Sequence, residues 1–278
     1  MKNILILGAA GMAGHMIHKY LKTFPEYNVI STARNEKYII PDYNIEALED
    51  TDRLAQIIKS QNIDIVINCI GLLVKDCNLN AEKGFHINSC FPHYLEDITE
   101  NTKTKIIHLS TDCVFSGKKG NYSETDIPDE TNNYGRYKSI GELENDKDLT
   151  LRMSIIGNEL KSNGSGLFEW FMRQEGTVKG YNKCLWSGIT TLELAKQIKK
   201  IIELPTNLSD LYHLVPDFSI SKYELLTLIG KIFNKKIIIE CDDSIEKNKI
   251  LINNRKEEYC PNIPDYYIQL QELKEFIK

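Results

Sequence analysis

The N-terminal stretch constrains the fold more than any other part of the chain. Lys2-Asn-Ile-Leu-Ile-Leu7 is an almost unbroken apolar run, as expected of a strand buried on both faces, and it passes directly into Gly8-Ala-Ala-Gly11-Met-Ala-Gly14. Apolar positions then recur at Ala13, Ile17 and Leu21, one face of a helix, until Pro25 stops it. Strand, glycine turn and helix together open a βαβ unit. Such a turn lets the backbone approach a pyrophosphate and points the free N–H groups of a helix N-terminus at its charge. The spacing is Gly-x-x-Gly-x-x-Gly, not Gly-x-Gly-x-x-Gly, so the match is to a mechanism and not to a fingerprint.

The alternation continues. Strand-like runs at Val29–Thr32, Ile63–Cys69, Lys105–Leu109 and Leu149–Arg152 are interleaved with helical patterns near Asp52–Ser60, Ala81–Thr99 and Tyr134–Leu143. This pattern predicts a doubly wound α/β fold, a parallel sheet covered by helices on both faces. Ligands of such sheets bind beyond the carboxyl ends of the strands. The glycine turn, Arg34, Gly71 and Thr111 each follow a strand, so a single crevice is expected to gather them. Residues 1–157 are read as the dinucleotide-binding domain and 158–278 mainly as a smaller C-terminal α/β lobe, with 184–215 returning to the sheet. In that lobe a helix over Thr191–Glu203, strands at Leu211–Val215 and Lys236–Cys241, and a final helix near Tyr267–Ile277 are expected. Ser221-Lys-Tyr-Glu224 reads as a capping box opening a helix to Phe233. The polar stretch Lys161–Gly166 reads as a connection, and Phe168, Trp170 and Phe171 read as lobe core.

Composition excludes several classes. A formal net charge of −5 argues against a general nucleic-acid binder, which needs a basic face. The longest apolar stretch, Ile63 to Val74, is broken by Asp64 and Asn68 and is too short to span a bilayer, so no membrane association is expected. No secretory signal is expected either, because glycines break the N-terminal apolar run. The 7 cysteines form no Cys-x-x-Cys pair and are read as free thiols of a cytoplasmic protein. The 6 histidines form no ligand cluster, so no catalytic metal is expected.

The chemistry is carried by Tyr134-Gly-Arg-Tyr-Lys138, where a Tyr and a Lys at i and i+4 share one helix face. A phenol near pKa ~10 is a poor acid at neutral pH. An ammonium about 4 Å away is worth roughly 4 kcal/mol at an effective dielectric of ~20, or about three pKa units. That shift predicts a tyrosine able to move protons, although any Tyr-x-x-x-Lys can equally be a solvated pair.

Seven segments together carry a family resemblance. They are Gly8–Gly14, Asp64-Ile-Val-Ile-Asn-Cys69, His86-Ile-Asn88, His108-Leu-Ser-Thr-Asp-Cys-Val-Phe-Ser-Gly117, Tyr122-Ser-Glu-Thr-Asp-Ile-Pro128, Tyr134–Glu142 and Leu151-Arg-Met-Ser-Ile-Ile-Gly157. The chain resembles the extended short-chain dehydrogenase/reductases, and among them the dTDP-4-dehydrorhamnose reductases, over roughly the first 160 residues. The resemblance implies a Rossmann-type fold and reduction of a 4-keto-6-deoxyhexose carried by a nucleoside diphosphate. Thr111, Tyr134 and Lys138 would be catalytic. Gly8, Gly11, Met12, Ala13, Gly14, Arg34, Ile70, Gly71 and Asn88, with Tyr134 and Lys138, would hold the cofactor. Arg34 after the second strand favours a 2′-phosphate, hence NADPH, with NADH still open.

Lys75, Asp112, Cys113, Ile155 and Arg255 are candidates for substrate contact, and Arg173 and Lys183 for its diphosphate. Two positions depart from the family. Cys113 stands where an aromatic is usual and Ile155 where a Trp is usual. Cys113 is read as a packing residue, against an acid/base role in epimerisation. His86, His93 and His108 are read as structural. An epimerase or dehydratase that retains NAD, and a non-enzymatic NADP-binding regulatory subunit, stay open beside the reductase, as does a homodimer.

Overall fold

In this computed structural model, residues 1–161 and 164–278 are described. Ser162 and Asn163 of the polar stretch lie outside them. The first half contains β1 (Lys2–Leu7), α1 (Met12–Leu21), β2 (Tyr27–Ala33), β3 (Tyr43–Asn44), α2 (Thr51–Ser60), β4 (Ile65–Asn68), α3 (Val74–Leu79), α4 (Ala81–Phe85) and α5 (Phe91–Thr99). It continues through β5 (Lys105–Leu109), α6 (Asn133–Ile140) and β6 (Leu149–Arg152). The second half adds β7 (Ile155–Ile156), α7 (Leu167–Arg173), β8 (Thr177–Tyr181), β9 (Cys184–Trp186), β10 (Ile189–Thr190), α8 (Thr191–Ile202) and β11 (Asp210–His213). It closes with β12 (Ile220–Ser221), α9 (Lys222–Ile232), β13 (Ile238–Asp242), β14 (Lys247–Asn248) and α10 (Tyr266–Ile277).

The central sheet runs β11-β6-β5-β4-β1-β2-β3 with every pair parallel. Strand order reverses between β1 and β4, which opens a crevice at their carboxyl ends. Alternate residues of β1 face opposite layers. Ile4 and Ile6 pack with Met16 and Ile17 of α1 and Leu194 and Ile198 of α8. Leu5 and Leu7 pack with Leu54 and Ile57 of α2 and Phe91 and Leu95 of α5. Each such fully buried aliphatic side chain contributes at most about 1.5–3 kcal/mol, which is why an apolar run with no polar break forms this strand.

Several elements differ from expectation. The helix expected over Ala81–Thr99 contains a π-helical turn at His86–Cys90 between α4 and α5. Helix α6 stops at Ile140, where Gly141 takes over the capping bonds, and not at Leu143. The C-terminal lobe is built on three small sheets, β10-β7, β12-β9-β14 and β13-β8, packed around α7 and α9. Strand β13 overlaps the strand expected at Lys236–Cys241, whereas the two- and three-residue strands of the other two sheets give no periodic signal in the sequence. The capping box at Ser221 and Glu224 is present. Among the described residues no helix is long and apolar enough to cross a membrane.

Candidate active site

At the switch point the chain turns sharply. Gly8 has φ +77, a left-handed conformation that favours glycine, and a Cβ there would meet Ile70 Cγ1 at 3.1 Å and Cys69 O at 3.2 Å. A Cβ on Gly14 would lie 2.3 Å from Gly8 O, so that glycine seats α1 against the turn. Gly11, the N-cap of α1, offers no side-chain cap, leaving first-turn N–H groups for a ligand. A groove of about 160 Å³ follows, lined by Gly8, Gly11, Arg34, Ile70 and Gly71 among others, with Cys69 in its wall. Of the residues expected to hold the cofactor, Met12, Ala13, Gly14, Asn88, Tyr134 and Lys138 do not line it. Ala13 is core, and Asn88 is fully buried. The Asn88 side chain accepts from Leu72 N at 2.9 Å and donates to Leu72 O at 2.9 Å, pinning the turn after β4.

Thr111 and Tyr134 are brought together by a second close approach. Asn132 caps α6 by accepting from Gly135 N at 3.0 Å. A Cβ on Gly135 would lie 2.3 Å from Cys113 O, so the first turn of α6 rests on the backbone just after Thr111. Thr111 tends to lower the Tyr134 phenol, but burial outweighs that effect and holds the phenol above its ordinary value. The sequence predicts a phenol lowered by Lys138; the geometry does otherwise. Lys138 Nζ points to Leu109 O at 2.7 Å and His108 Nε2 at 3.2 Å. Burial pushes the Lys138 ammonium down to about 8 against the raising effect of Glu142.

Beyond Tyr134 lies a cavity of about 710 Å³ between the ends of β5 and β6 and the C-terminal lobe. Asp112, Cys113 and Ser154 form its sheet side, and Trp170, Trp186 and four lysines line its lobe side. The strand ends therefore carry two chambers, not the one crevice the sequence predicts. Tyr134 and Lys138 line neither chamber, but each acts on a residue that does. Lys138 acts electrostatically on Cys69 of the groove, and Tyr134 feels Cys113 of the cavity.

Lys179 pairs with Asp242 at 2.9 Å and Lys249 with Glu130 at 3.4 Å. Lys222 and Lys247 have no ion-pair partner among the described residues. Lys222 sits 4.7 Å over the Trp186 ring, and burial lowers it to about 8.

The substrate candidates divide. Asp112 and Cys113 line the cavity. Cys113 is thus half-exposed to the cavity and not enclosed packing, and burial pushes its thiol up to about 12. Ile155 packs on the main core, Lys75 is exposed on α3, and Arg255 is engaged by Glu258 and by the carbonyls of Ser209 and Leu211. None of these three lines either chamber. Arg173 donates to Gly164 O at 2.5 Å, and Lys183 is exposed. Trp170 turns out of the core formed by Phe168 and Phe171 and is 37% exposed. Sequence reasoning missed Lys179, Lys222, Lys247 and Lys249, which come from separate segments of the lobe. Only Lys222, next to the capping box, stood near a motif. Among the described residues no group of three His, Cys, Asp or Glu is placed to hold a metal ion.

A switch-point groove beside a Tyr–Lys pair defines the class as Rossmann-type α/β proteins of the short-chain dehydrogenase/reductase kind. Residues 1–246 match the model of the RmlD substrate binding domain, and the chain belongs to that family. It is 30% identical over 159 residues to the probable low-salt glycan biosynthesis reductase Agl14 of Haloferax volcanii, covering 54% of this chain and 52% of that one. It is 29% identical over 169 residues to a dTDP-4-dehydrorhamnose reductase of Aggregatibacter actinomycetemcomitans, covering 59% and 54%. The chain thus matches about half the length of these two relatives. A longer match, 25% identical over 247 residues and covering 84% and 74%, is to methionine adenosyltransferase 2 subunit beta of Danio rerio. The crystal structure of dTDP-4-dehydrorhamnose reductase from Bacillus anthracis in complex with NADP superposes over 100% of both chains with a TM-score of 0.83 at 21% identity, a likeness of fold.

Proposed function

We propose that the chain reduces the 4-keto group of a nucleoside-diphospho-4-keto-6-deoxyhexose, dTDP- or UDP-linked, in the biosynthesis of a surface-polysaccharide deoxysugar. NADPH is the preferred reductant. What supports this reading is that Lys138 acts on Cys69 of the glycine-turn groove while Tyr134 feels Cys113 of a cavity lined with lysine and tryptophan. The groove fits a dinucleotide, because side chains are excluded at Gly8 and Gly14 and the first turn of α1 is uncapped. A reduced nicotinamide bound there supplies the hydride.

The chain's own residues do the rest. Burial keeps the Tyr134 phenol protonated at neutral pH, which is the form an acid needs as the carbonyl oxygen gains negative charge. Thr111 hydrogen-bonds the same oxygen. Lys222 and Lys247 are the cations free to meet the diphosphate, and Trp186 and Trp170 supply flat apolar surface for sugar or base. Arg34, exposed at the groove, reads a 2′-phosphate. The Cys113 thiol, held protonated, is a poor base, so epimerisation at the neighbouring sugar carbons is not part of the reaction.

The test is loss of reduced nicotinamide absorbance with a panel of UDP- and dTDP-linked 4-keto-6-deoxy sugars. No turnover with any of them refutes the reading. In the same assay, an Arg34→Ala variant whose NADPH to NADH ratio of Michaelis constants equals that of wild type would remove Arg34 from cofactor choice. The long match to an adenosyltransferase beta subunit favours a second reading, an NADP-binding regulatory subunit. Tight NADPH binding without turnover of any sugar nucleotide would select it.

A further inference from the structure

We infer that His108 is a positioning residue that holds Lys138 as a neutral amine in the cofactor-free protein. The argument begins two residues after β4. Ile70 N–H donates to Asn68 Oδ1 at 3.1 Å, and a backbone N–H needs an acceptor, so the orientation of the Asn68 amide follows. Its other end, Nδ2, is a donor and lies 3.1 Å from His108 Nδ1, which must accept. A neutral imidazole then carries its proton on Nε2. That nitrogen faces Lys138 Nζ at 3.2 Å.

An Nε2–H pointing at an ammonium would set two donors against each other. The contact becomes a hydrogen bond only when Lys138 offers a lone pair. An imidazolium is worse, because its Nδ1–H would also face the Asn68 amide. Asn68 and His108 have no exposed surface and Lys138 only 4%, so no water relieves the conflict. Donation from Lys138 to Leu109 O at 2.7 Å suits an amine as well as an ammonium.

The other groups around the pair do not reverse this. Glu142, just beyond the end of α6, favours the ammonium, but its oxygens are taken by Arg152 Nε at 2.7 Å, Arg152 Nη2 at 2.6 Å and Ser110 Oγ at 2.5 Å. The thiols of Cys69 and Cys77 face Lys138 from β4 and α3, and burial raises both, so they carry no charge at neutral pH. His93 acts on His108 from α5 and disfavours a charged ring, as Lys138 does.

The consequence for catalysis rests on the reductase reading. If the Lys138 charge supports proton donation by Tyr134, turnover is present below the lysine's pKa and is lost as pH rises through it, well below the phenol's own range. Lys222 is also lowered, but it sits in the substrate cavity. The limb should therefore be read in kcat/KM for NADPH, which reports groups of the cofactor-free enzyme, at saturating sugar nucleotide, where groups acting only in its binding drop out.

Two variants address the contact. His108→Gln can turn a carbonyl to Lys138. Asn68→Asp keeps the histidine but accepts Nδ1–H, which frees Nε2 to accept from an ammonium. Each should move the limb upward by about one pH unit, the size of one hydrogen bond. A limb that stays put in both folded variants overturns the inference. The tautomer is read independently of activity by long-range 1H–15N correlation in cofactor-free wild type. A neutral ring protonated on Nε2 from about pH 6 to 8 is expected. Protonation on Nδ1, or titration to imidazolium in that window, refutes the inference even if neither variant folds and no sugar turns over.

Discussion

The buried ion pair behind α6 gives the sharpest stability prediction. Arg152 at the end of β6 makes two bonds to Glu142, Nε to Oε1 at 2.7 Å and Nη2 to Oε2 at 2.6 Å, with side chains 2% and 1% exposed. Arg152→Met removes both bonds and, among the described residues, the only full charge paired with this carboxylate. Among the described residues Glu142 is then left with Ser110 Oγ alone, in a site closed to bulk solvent. A buried charge stripped of its partner costs about 3–5 kcal/mol. For a chain of this size that is a fall in melting temperature of roughly 10 °C. Arg152→Met/Glu142→Leu removes both charges and leaves only the Ser110 hydroxyl and His213 Nε2, 3.4 Å from Arg152 Nη1, without a partner. Those neutral groups cost about 1–3 kcal/mol together. The double variant should therefore be more stable than Arg152→Met alone. Urea unfolding of all four proteins, compared where the slopes agree, closes the cycle. A loss below about 1 kcal/mol in Arg152→Met, or single effects that simply add, would refute the reasoning.

Three further outcomes are expected. Tyr134→Phe should lower kcat by about 10²–10⁴ while the NADPH dissociation constant, read by fluorescence titration, stays within a few-fold; equal turnover would remove the phenol as acid. Lys222→Gln should raise KM for the sugar nucleotide by about tenfold or more, the worth of one charge-assisted hydrogen bond, with a smaller effect on kcat. An unchanged KM would take Lys222 out of diphosphate binding. Gly14→Ala should destabilise the protein by about 1–3 kcal/mol and weaken NADPH binding, because the new methyl meets the Gly8 carbonyl and that backbone cannot turn aside. Undiminished melting temperature and affinity would show that the turn has more slack than its contacts indicate.

What could be read in advance follows from how each feature is encoded. The sheet was legible because its central strands are buried on both faces, so Ile4–Leu7 and Ile65–Ile67 appear as uninterrupted apolar runs. The glycine turn was legible because Gly8 and Gly14 each exclude a side chain. The environment of Tyr134 was not. Spacing on a helix puts Lys138 on the same face, yet the direction of its Nζ is decided by His108 and Leu109 on a strand about 30 residues upstream. The lysines of the cavity were hidden for a related reason. They stand on β8, at the start of α9 and around β14, and polar residues scattered over such distances leave no periodicity to detect. Trp170 shows the same limit at short range, since its neighbours Phe168 and Phe171 are core while it faces the cavity.

The π-helical turn at His86–Cys90 has a consequence for how much change this segment tolerates. It holds one more residue than an α-helical turn would, so the stretches before and after it are out of phase by about 100°. Upstream, Gly84 lies against Cys77; downstream, Phe91 and Leu95 fill the core beneath the sheet. Within the turn, Ser89 Oγ donates to Tyr137 O at 2.8 Å, and the Asn88 carbonyl lies where a Cβ on Gly141 would be, 2.0 Å away. Deleting any one residue from 86 to 90 would repair the α-helical ladder and swing one of those two faces out of place. This segment can exchange side chains, but its length is quantised, and the helix bearing Tyr134 and Lys138 is seated on it.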